Sequence, residues 1–332
     1  MVRNCTGEMT MIKPPRLKAG QTIGLLAPAS GVRDPQKIDR AVAFFESQGF
    51  RVVCAPNARR CDTFLSAPDG DRLRDFHDFW ASDDIHALVC LRGGYGTCRL
   101  LNDLDYQLIR SKPKIFLGYS DITNLHLAVM REAGVVTFHG PMAASNFADP
   151  ASPAWTWDMA FRMLTSTEPL GWLSAGAPLE RQPVTLIEGH GRSVTGPLVG
   201  GNLAHVQVTI GTRFEINTRG KIVFLEDLGE RPYKVDRMLT HLLAAGKLAD
   251  AAGIALGIFD DCGEPGVDPE GALHPPSLIE VFRERLGGLG IPVLYGLPIS
   301  HTPINATLPM GLEATLDPER CDLHLDESAV TA

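Results

Sequence analysis

The run Lys114-Ile115-Phe116-Leu117-Gly118-Tyr119-Ser120-Asp121-Ile122-Thr123 is β-rich and apolar up to a serine, then resumes with a helical pattern. A serine at a sharp strand-to-helix turn has its hydroxyl lifted clear of the sheet, beside the backbone N–H groups that open the helix. That display suits a nucleophile. The match to the hydrolase elbow Gly-x-Ser-x-Gly is partial, because Ile122 stands at the second glycine position. The competing reading is a serine that only caps the helix.

A hydroxyl nucleophile needs a base, and the base needs an orienting carboxylate. The apolar strand Ile222-Val223-Phe224-Leu225 ends directly in Glu226-Asp227, which places an acid at a strand end; a simple cap or ion pair is the alternative use. Of the 10 histidines, His77 and His241 fall on expected helices, and His86 and His324 fall in strand-like runs. Two others compete for the role of base. His139 ends a strand in Phe138-His139-Gly140-Pro141, and His301 lies in the loop Ser300-His301-Thr302-Pro303-Ile304-Asn305. The residue types alone leave both open, although the order Ser120, Glu226, His301 is the serine, acid, histidine order of α/β-hydrolases.

Three glycine-rich loops are expected after strands: Ala29-Ser30-Gly31, Arg92-Gly93-Gly94-Tyr95-Gly96 and Gly200-Gly201-Asn202. None fits a dinucleotide fingerprint, and no Walker lysine is present. Glycines at a strand end also let backbone N–H groups approach an oxygen closely. Gly93 and Gly94 are therefore candidates for one oxyanion donor, with the amide of Asp121 as the second. No His-Glu-x-x-His or other spaced ligand set is present, so neither metal nor cofactor is expected.

The elements that must position these groups alternate. Thr22–Ala27, Arg51–Cys54, His86–Cys90, Lys114–Gly118 and Val135–Phe138 read as strands, separated by helical patterns at Asp34–Gln48, Asp69–Trp80, Thr97–Leu104 and Asp121–Glu132. Such alternation predicts an α/β fold, a doubly wound parallel sheet with ligands beyond its carboxyl ends. A helix over Trp155–Leu164 and an irregular connector follow. Strands at Val184–Glu188, Lys221–Leu225, Gly253–Phe259, Pro292–Tyr295 and Leu312–Leu316, with helices at Pro232–Ala245 and Pro276–Leu286, then make a second, smaller mixed α/β domain. The expected division is a disordered leader over 1–15, a Rossmann-like domain with the nucleophile over 16–150, a connector over 151–183, and a domain with the acid and base over 184–332.

Composition sets the outer bounds. The chain has 332 residues, 44% hydrophobic and 21% charged, as in a globular protein, and a formal charge of −8 argues against nucleic acid or an anionic membrane as partner. No run of about 18 apolar residues is present to span a bilayer. Seven scattered cysteines without a Cys-x-x-Cys pair point to a reducing, cytoplasmic setting.

Taken together, these motifs resemble the LD-carboxypeptidase family of serine peptidases, which includes the microcin immunity peptidases. The resemblance rests on Ala27-Pro28-Ala29-Ser30, Arg92 to Gly96, Gly118 to Thr123, Phe138 to Pro141, Gly200 to Leu203 and Leu225 to Asp227. It continues through Pro232 to Leu239 and His301 with Asn305 to Leu308-Pro309-Met310-Gly311. It implies a triad of Ser120, Glu226 and His301, with the nucleophile from the first domain and its partners from the second. It also implies oxyanion donors at the amides of Gly94 and Asp121 and a homodimer. The candidate substrate contacts are Arg92, which could equally brace its own loop, Tyr95 and Asn202. The implied reaction releases the terminal D-alanine of a muropeptide tetrapeptide in peptidoglycan recycling. Ser300 departs from the glycine expected before the base, which bears on loop geometry. Two other readings compete. One is a microcin-type amidase acting on a peptidyl-nucleotide, with Trp155, Trp157 and Trp172 available for base stacking. The other is a two-domain binding protein in which Ser120 and the glycine loops only hold a ligand.

Overall fold

Two sheets organise the chain, each in its own unit of a computed structural model that describes residues 10–263 and 276–332. The first unit comprises Met1–Leu170, Ala306–Leu312 and Glu327–Ala332. Its elements run β1 (Thr22–Leu26), α1 (Pro35–Ser47), β2 (Arg51–Cys54), α2 (Asp69–Ala81), β3 (Ala87–Cys90), α3 (Tyr106–Ser111), β4 (Ile115–Gly118), α4 (Thr123–Glu132), β5 (Phe138–His139) and α5 (Ala154–Thr165). A late strand, β12 (Leu308–Pro309), closes the sheet in the order β12-β5-β4-β3-β1-β2, with only the β12–β5 pair antiparallel. Strand order reverses between β1 and β3, the place where open parallel sheets form a crevice beyond their carboxyl ends.

The sequence explains these elements locally. Asp34 caps α1 by accepting from the Gln36 amide, Pro35 opens the helix, and Ile38, Ala41 and Phe45 bury one face. Phe44 and Phe45 meet Phe147, and Trp157 packs on Phe44 at 5.3 Å between ring centroids. Helix α4 differs, because every residue from Thr123 to Val129 is buried. The turn at Ser120 thus leads into the core of this unit.

Several elements differ from the sequence reading. The helix expected over Thr97–Leu104 is only a 3-10 turn at Thr97–Arg99, and the helix expected from Asp121 begins with a 3-10 turn at Ser120–Ile122. The strand expected over Val135–Phe138 is Phe138–His139, while Val135 and Val136 pair with Ile12 instead. That pairing, and a bridge from Pro15 to Thr331, ties down the end of the expected leader; its residues 1–9, with Cys5, lie outside the described residues.

The second unit comprises Gly171–Asn305 and Glu313–Asp326. It runs β6 (Gly171–Trp172), β7 (Val184–Ile187), β8 (Val194–Asn202), α6 (Leu203–Val208), β9 (Ile222–Leu228), α7 (Pro232–Ala244), β10 (Gly253–Asp260), α8 (Leu278–Leu286), β11 (Val293–Tyr295), β13 (Glu313–Asp317) and β14 (Asp322–Leu325). The sheet order is β6-β14-β13-β8-β9-β10-β11-β7, parallel from β8 to β11 and antiparallel on both flanks. The stripe Val235, Met238, Leu239 and Leu242 buries α7 as its spacing predicts.

Gly200-Gly201-Asn202 is not a loop after a strand but the end of β8 itself. Gly200, at φ 153°, has no room for a side chain, since a Cβ there would run into the Phe224 carbonyl of β9. The glycines let two strand backbones meet closely at the end where Glu226 sits.

Candidate active site

Within the first unit, Ser120 has φ 63°, a left-handed conformation that costs a non-glycine residue about 1–2 kcal/mol. The chain holds this strain by fixing both sides of the turn. On the strand side, the Gly118 carbonyl accepts from the Gly140 amide at 3.1 Å and from His126 Nε2 at 2.8 Å. Burial pushes the His126 pKa down to about 4, so its ring is neutral; Nε2–H donates and Nδ1 accepts from the Thr137 hydroxyl at 2.9 Å. On the helix side, the buried Asp121 accepts from the Thr97 amide through Oδ2 at 2.9 Å.

The glycine loop lies against this serine. A Cβ on Gly93 would sit 2.7 Å from Ser120 Cβ and 2.9 Å from its Oγ, so only glycine fits there. Gly94, at φ 108°, faces Ser30, whose hydroxyl donates to the Phe64 carbonyl at 2.6 Å and accepts from the Tyr95 amide at 3.1 Å. The loops after β1 and β3 are thereby joined at the strand-order reversal. Arg92 braces this arrangement by donating to the Gly31 carbonyl at 3.4 Å. Tyr95 is 45% exposed, and its ring lies 5.6 Å from that of Phe64, which is 61% exposed.

In the second unit, Glu226 lies in β9, fully buried, and its Oε2 stands 2.6 Å from His301 Nδ1. Burial pulls the His301 pKa down, but the Glu226 carboxylate, aided by Asp227 and Asp260, outweighs it and raises the pKa above the ordinary histidine value. Asp227 points its carboxylate at donors from two neighbouring elements: Asn202 Nδ2 at 2.8 Å, the Ala204 amide at 3.1 Å, and also the Leu228 amide at 2.9 Å. Burial first, and then the adjacent Glu226, push its pKa up to about 6.

The loop that carries His301 is built onto β10. The Ile258 amide donates to the Ile299 carbonyl at 2.9 Å where the β9–β10 register shifts between Leu256 and Phe259. Gly257 makes this possible, because a Cβ there would collide with that same carbonyl. Ser300 then stitches the loop: its hydroxyl donates to the Ile304 carbonyl at 2.8 Å and accepts from the Thr302 amide at 3.0 Å. The departure from glycine at this position thus gives the loop an internal tie.

The other candidates are placed differently. His139 is fully buried in the first unit, in ring contact with Tyr119 and His126. Asn202, expected to touch substrate, is buried, caps α6 by accepting from the His205 amide at 3.3 Å, and holds Asp227. Among the described residues, no group of histidines, cysteines and acids is arranged to hold a metal ion. None of the helices described there is long and apolar enough to cross a membrane.

Comparison with known proteins decides the family. Residues 23–140 match the LD-carboxypeptidase N-terminal domain, and residues 195–316 match the LD-carboxypeptidase C-terminal domain. The chain belongs to the LD-carboxypeptidase family. It is 39% identical to a Bacillus subtilis protein named "Probable murein peptide carboxypeptidase", covering 92% of this chain and 91% of that one. It is 31% identical to the murein tetrapeptide carboxypeptidase of Pseudomonas aeruginosa, covering 90% and 94%. Among solved structures, the wild-type microcin C7 self-immunity protein MccF superposes with a TM-score of 0.83 at 26% identity, over 96% of this chain and 100% of that one. The muramoyltetrapeptide carboxypeptidase of Oxalobacter formigenes gives 0.79 at 31% identity, over 94% and 100%.

As a member of this family the chain is a serine-type carboxypeptidase. Three residues that shape these two regions carried no recognisable motif: Thr97, His126 and Gly257. Asp227 was visible as a second acid at a strand end, but its partners come from β8 and α6, which lie far away in sequence. Gly257 had no local signal, since the carbonyl it accommodates belongs to a loop some forty residues on.

Proposed function

We propose that this carboxypeptidase releases the terminal D-alanine from muropeptide tetrapeptides, with Ser120 as nucleophile, His301 as base and Glu226 as the acid that orients it. The observation that carries the reading is the buried pair of Glu226 and His301 at 2.6 Å, which fixes the imidazole through Nδ1 and favours its charged form. In a base oriented through Nδ1, Nε2 is the atom that takes the proton of a serine hydroxyl. The strained turn at Ser120 and the names borne by the relatives support the same reading.

In the proposed reaction His301 takes the Ser120 proton as the hydroxyl attacks the scissile carbonyl. The amides of Gly94 and Asp121 stabilise the tetrahedral oxyanion. His301 then protonates the leaving amine of D-alanine, and water resolves the acyl-enzyme. Of the residues expected to touch substrate, Tyr95 suits that role through its exposed ring. Arg92 braces the loop after β1, and Asn202 caps α6. The reading includes a cytoplasmic setting and a homodimer, the latter checked by light scattering on the purified chain.

A second reading, hydrolysis of a peptidyl-nucleotide, draws on the higher TM-score to MccF, a protein also described in complex with aspartyl sulfamoyl adenosine. Against it, Trp157 is engaged in the aromatic cluster around Phe44, and Trp172 packs on His324 and Arg320. Turnover of a muropeptide tetrapeptide should therefore exceed turnover of an aminoacyl-adenylate analogue. D-alanine release from the tetrapeptide but not the pentapeptide is the expected result, and faster cleavage of the nucleotide would install the second reading.

A further inference from the structure

The glycine loop is anchored to the nucleophile turn twice. At one end Gly93 abuts Ser120. At the other, Thr97 donates its amide to Asp121 Oδ2 at 2.9 Å and its hydroxyl to the Asp121 main-chain carbonyl at 2.6 Å. Asn124, one helical turn on, joins both residues: its Nδ2 donates to the Asp121 carbonyl at 3.0 Å, to Asp121 Oδ1 at 3.3 Å and to Thr97 Oγ1 at 3.2 Å. All three side chains are fully buried.

A buried carboxylate on the residue whose amide faces a developing oxyanion is electrostatically unhelpful to that oxyanion. Its presence calls for a geometric reason. The network supplies one, because it grips Asp121 at both its carbonyl and its carboxylate while gripping the loop just past Gly94-Tyr95-Gly96. Gly94 and Gly96 have φ of 108° and 122°, so the arc between the two anchors depends on tethers, which are the anchors themselves, the Tyr95 amide's bond to Ser30 and Arg72's bond to the Gly96 carbonyl.

We infer that Thr97, Asn124 and the Asp121 carboxylate are positioning residues that set the spacing between the two oxyanion donors, the amides of Gly94 and Asp121. The inference rests on the proposed serine mechanism. Donors that are slightly misplaced still bind substrate but stabilise the transition state less, so a failed clamp lowers kcat and leaves KM in place.

Thr97→Val tests it, since valine keeps the shape and the amide but removes the hydroxyl. On a tetrapeptide muropeptide, kcat should fall about 10- to 100-fold with KM within about twofold of wild type, less than the roughly 10²- to 10³-fold lost when an oxyanion donor is removed outright. Thr97→Ser restores the hydroxyl and should recover kcat to within about threefold. Asn124→Ala, which leaves the Thr97 hydroxyl bond, should show the same split at roughly tenfold and serves if Thr97→Val does not fold. Wild-type kcat in folded Thr97→Val, no recovery in Thr97→Ser, or a kcat loss equal to the loss of folded protein overturns the inference. Ser120→Ala in parallel separates the levels: turnover retained there removes the serine mechanism itself, whereas an inactive Ser120→Ala beside a fully active Thr97→Val removes only the clamp.

Discussion

In the proposed mechanism, the turn at Ser120 and the surroundings of Glu226 and His301 solve different physical problems. Around Ser120 the structure works by position: a strained φ, a glycine with no room for a methyl group, and buried hydrogen bonds from a neutral histidine, a threonine and an asparagine. Around His301 it works by charge, with Glu226, Asp227 and Asp260 acting together to raise one imidazole pKa against its burial. A serine's hydroxyl need only be presented, whereas a base must also be tuned. Damage to the first region should therefore lower kcat without moving the pH profile, and damage to the second should move it.

The largest effect tests the positional side. Ser120→Ala and Ser120→Gly should each lose about 10⁴-fold or more in turnover. The two should differ in stability, because glycine accepts φ 63° and alanine does not; chemical denaturation should find the glycine variant more stable by about 1 kcal/mol. Equal stabilities would mean that the strain read at this turn is relaxed in solution.

Next in size is the choice between histidines. His301→Ala should abolish acylation, read as labelling of Ser120 by a fluorophosphonate. His139→Ala should instead lower the melting temperature, because it empties a buried site beside Tyr119 and His126, while the folded fraction still acylates. Acylation lost in His139→Ala and kept in His301→Ala would exchange their roles and dissolve the contrast between regions.

Glu226→Gln addresses charge directly and should cost about 10²- to 10⁴-fold in kcat/KM. The sign of its pH effect follows from the raised His301 pKa. The base must be neutral to accept a proton, so wild-type kcat/KM rises with pH through a value above the ordinary histidine pKa. Removing the carboxylate's charge should move that acid limb to lower pH. Stability follows the same group: its contribution is fully present below the unfolded histidine pKa and is lost as pH rises through the folded value. Glu226→Gln should flatten that loss, as pH-dependent melting would register.

The same contrast explains what the sequence reveals. The Ser120 turn is legible because strand, turn and helix are contiguous, and the alternation of the first unit brings its sheet with it. Strand β8 is hidden, since Gly196, Pro197, Gly200 and Gly201 all lower strand propensity, and only the close approach to β9 makes glycine the right choice. Strand β12 is a two-residue piece defined by its pairing with β5, which no local pattern records. Glu226 and His301 are visible as candidate types, but their pairing spans 75 residues and becomes readable only through the resemblance to a family. Asn202 shows the reverse case: it is expected as a substrate contact, and the structure shows in addition a helix cap and a buried acid to hold, neither of which a local pattern records.

Asn202→Ala therefore gives the smallest expected effect on activity and the finest test of the contrast. Loss of the α6 cap costs about 1 kcal/mol. Loss of the donor to Asp227 Oδ1 adds roughly 1–3 kcal/mol, because a buried carboxylate is left with fewer partners. Two backbone amides still hold Asp227, so the acid remains in place behind Glu226. Its pKa, already about 6, should rise further as a donor is removed, which withdraws negative charge from His301 at neutral pH. The acid limb of kcat/KM should then shift slightly downward, in the direction of Glu226→Gln but by less, with KM unchanged. A tenfold rise in KM with the acid limb unmoved would instead make Asn202 a substrate contact, and would place recognition, rather than electrostatic tuning, at the end of β8.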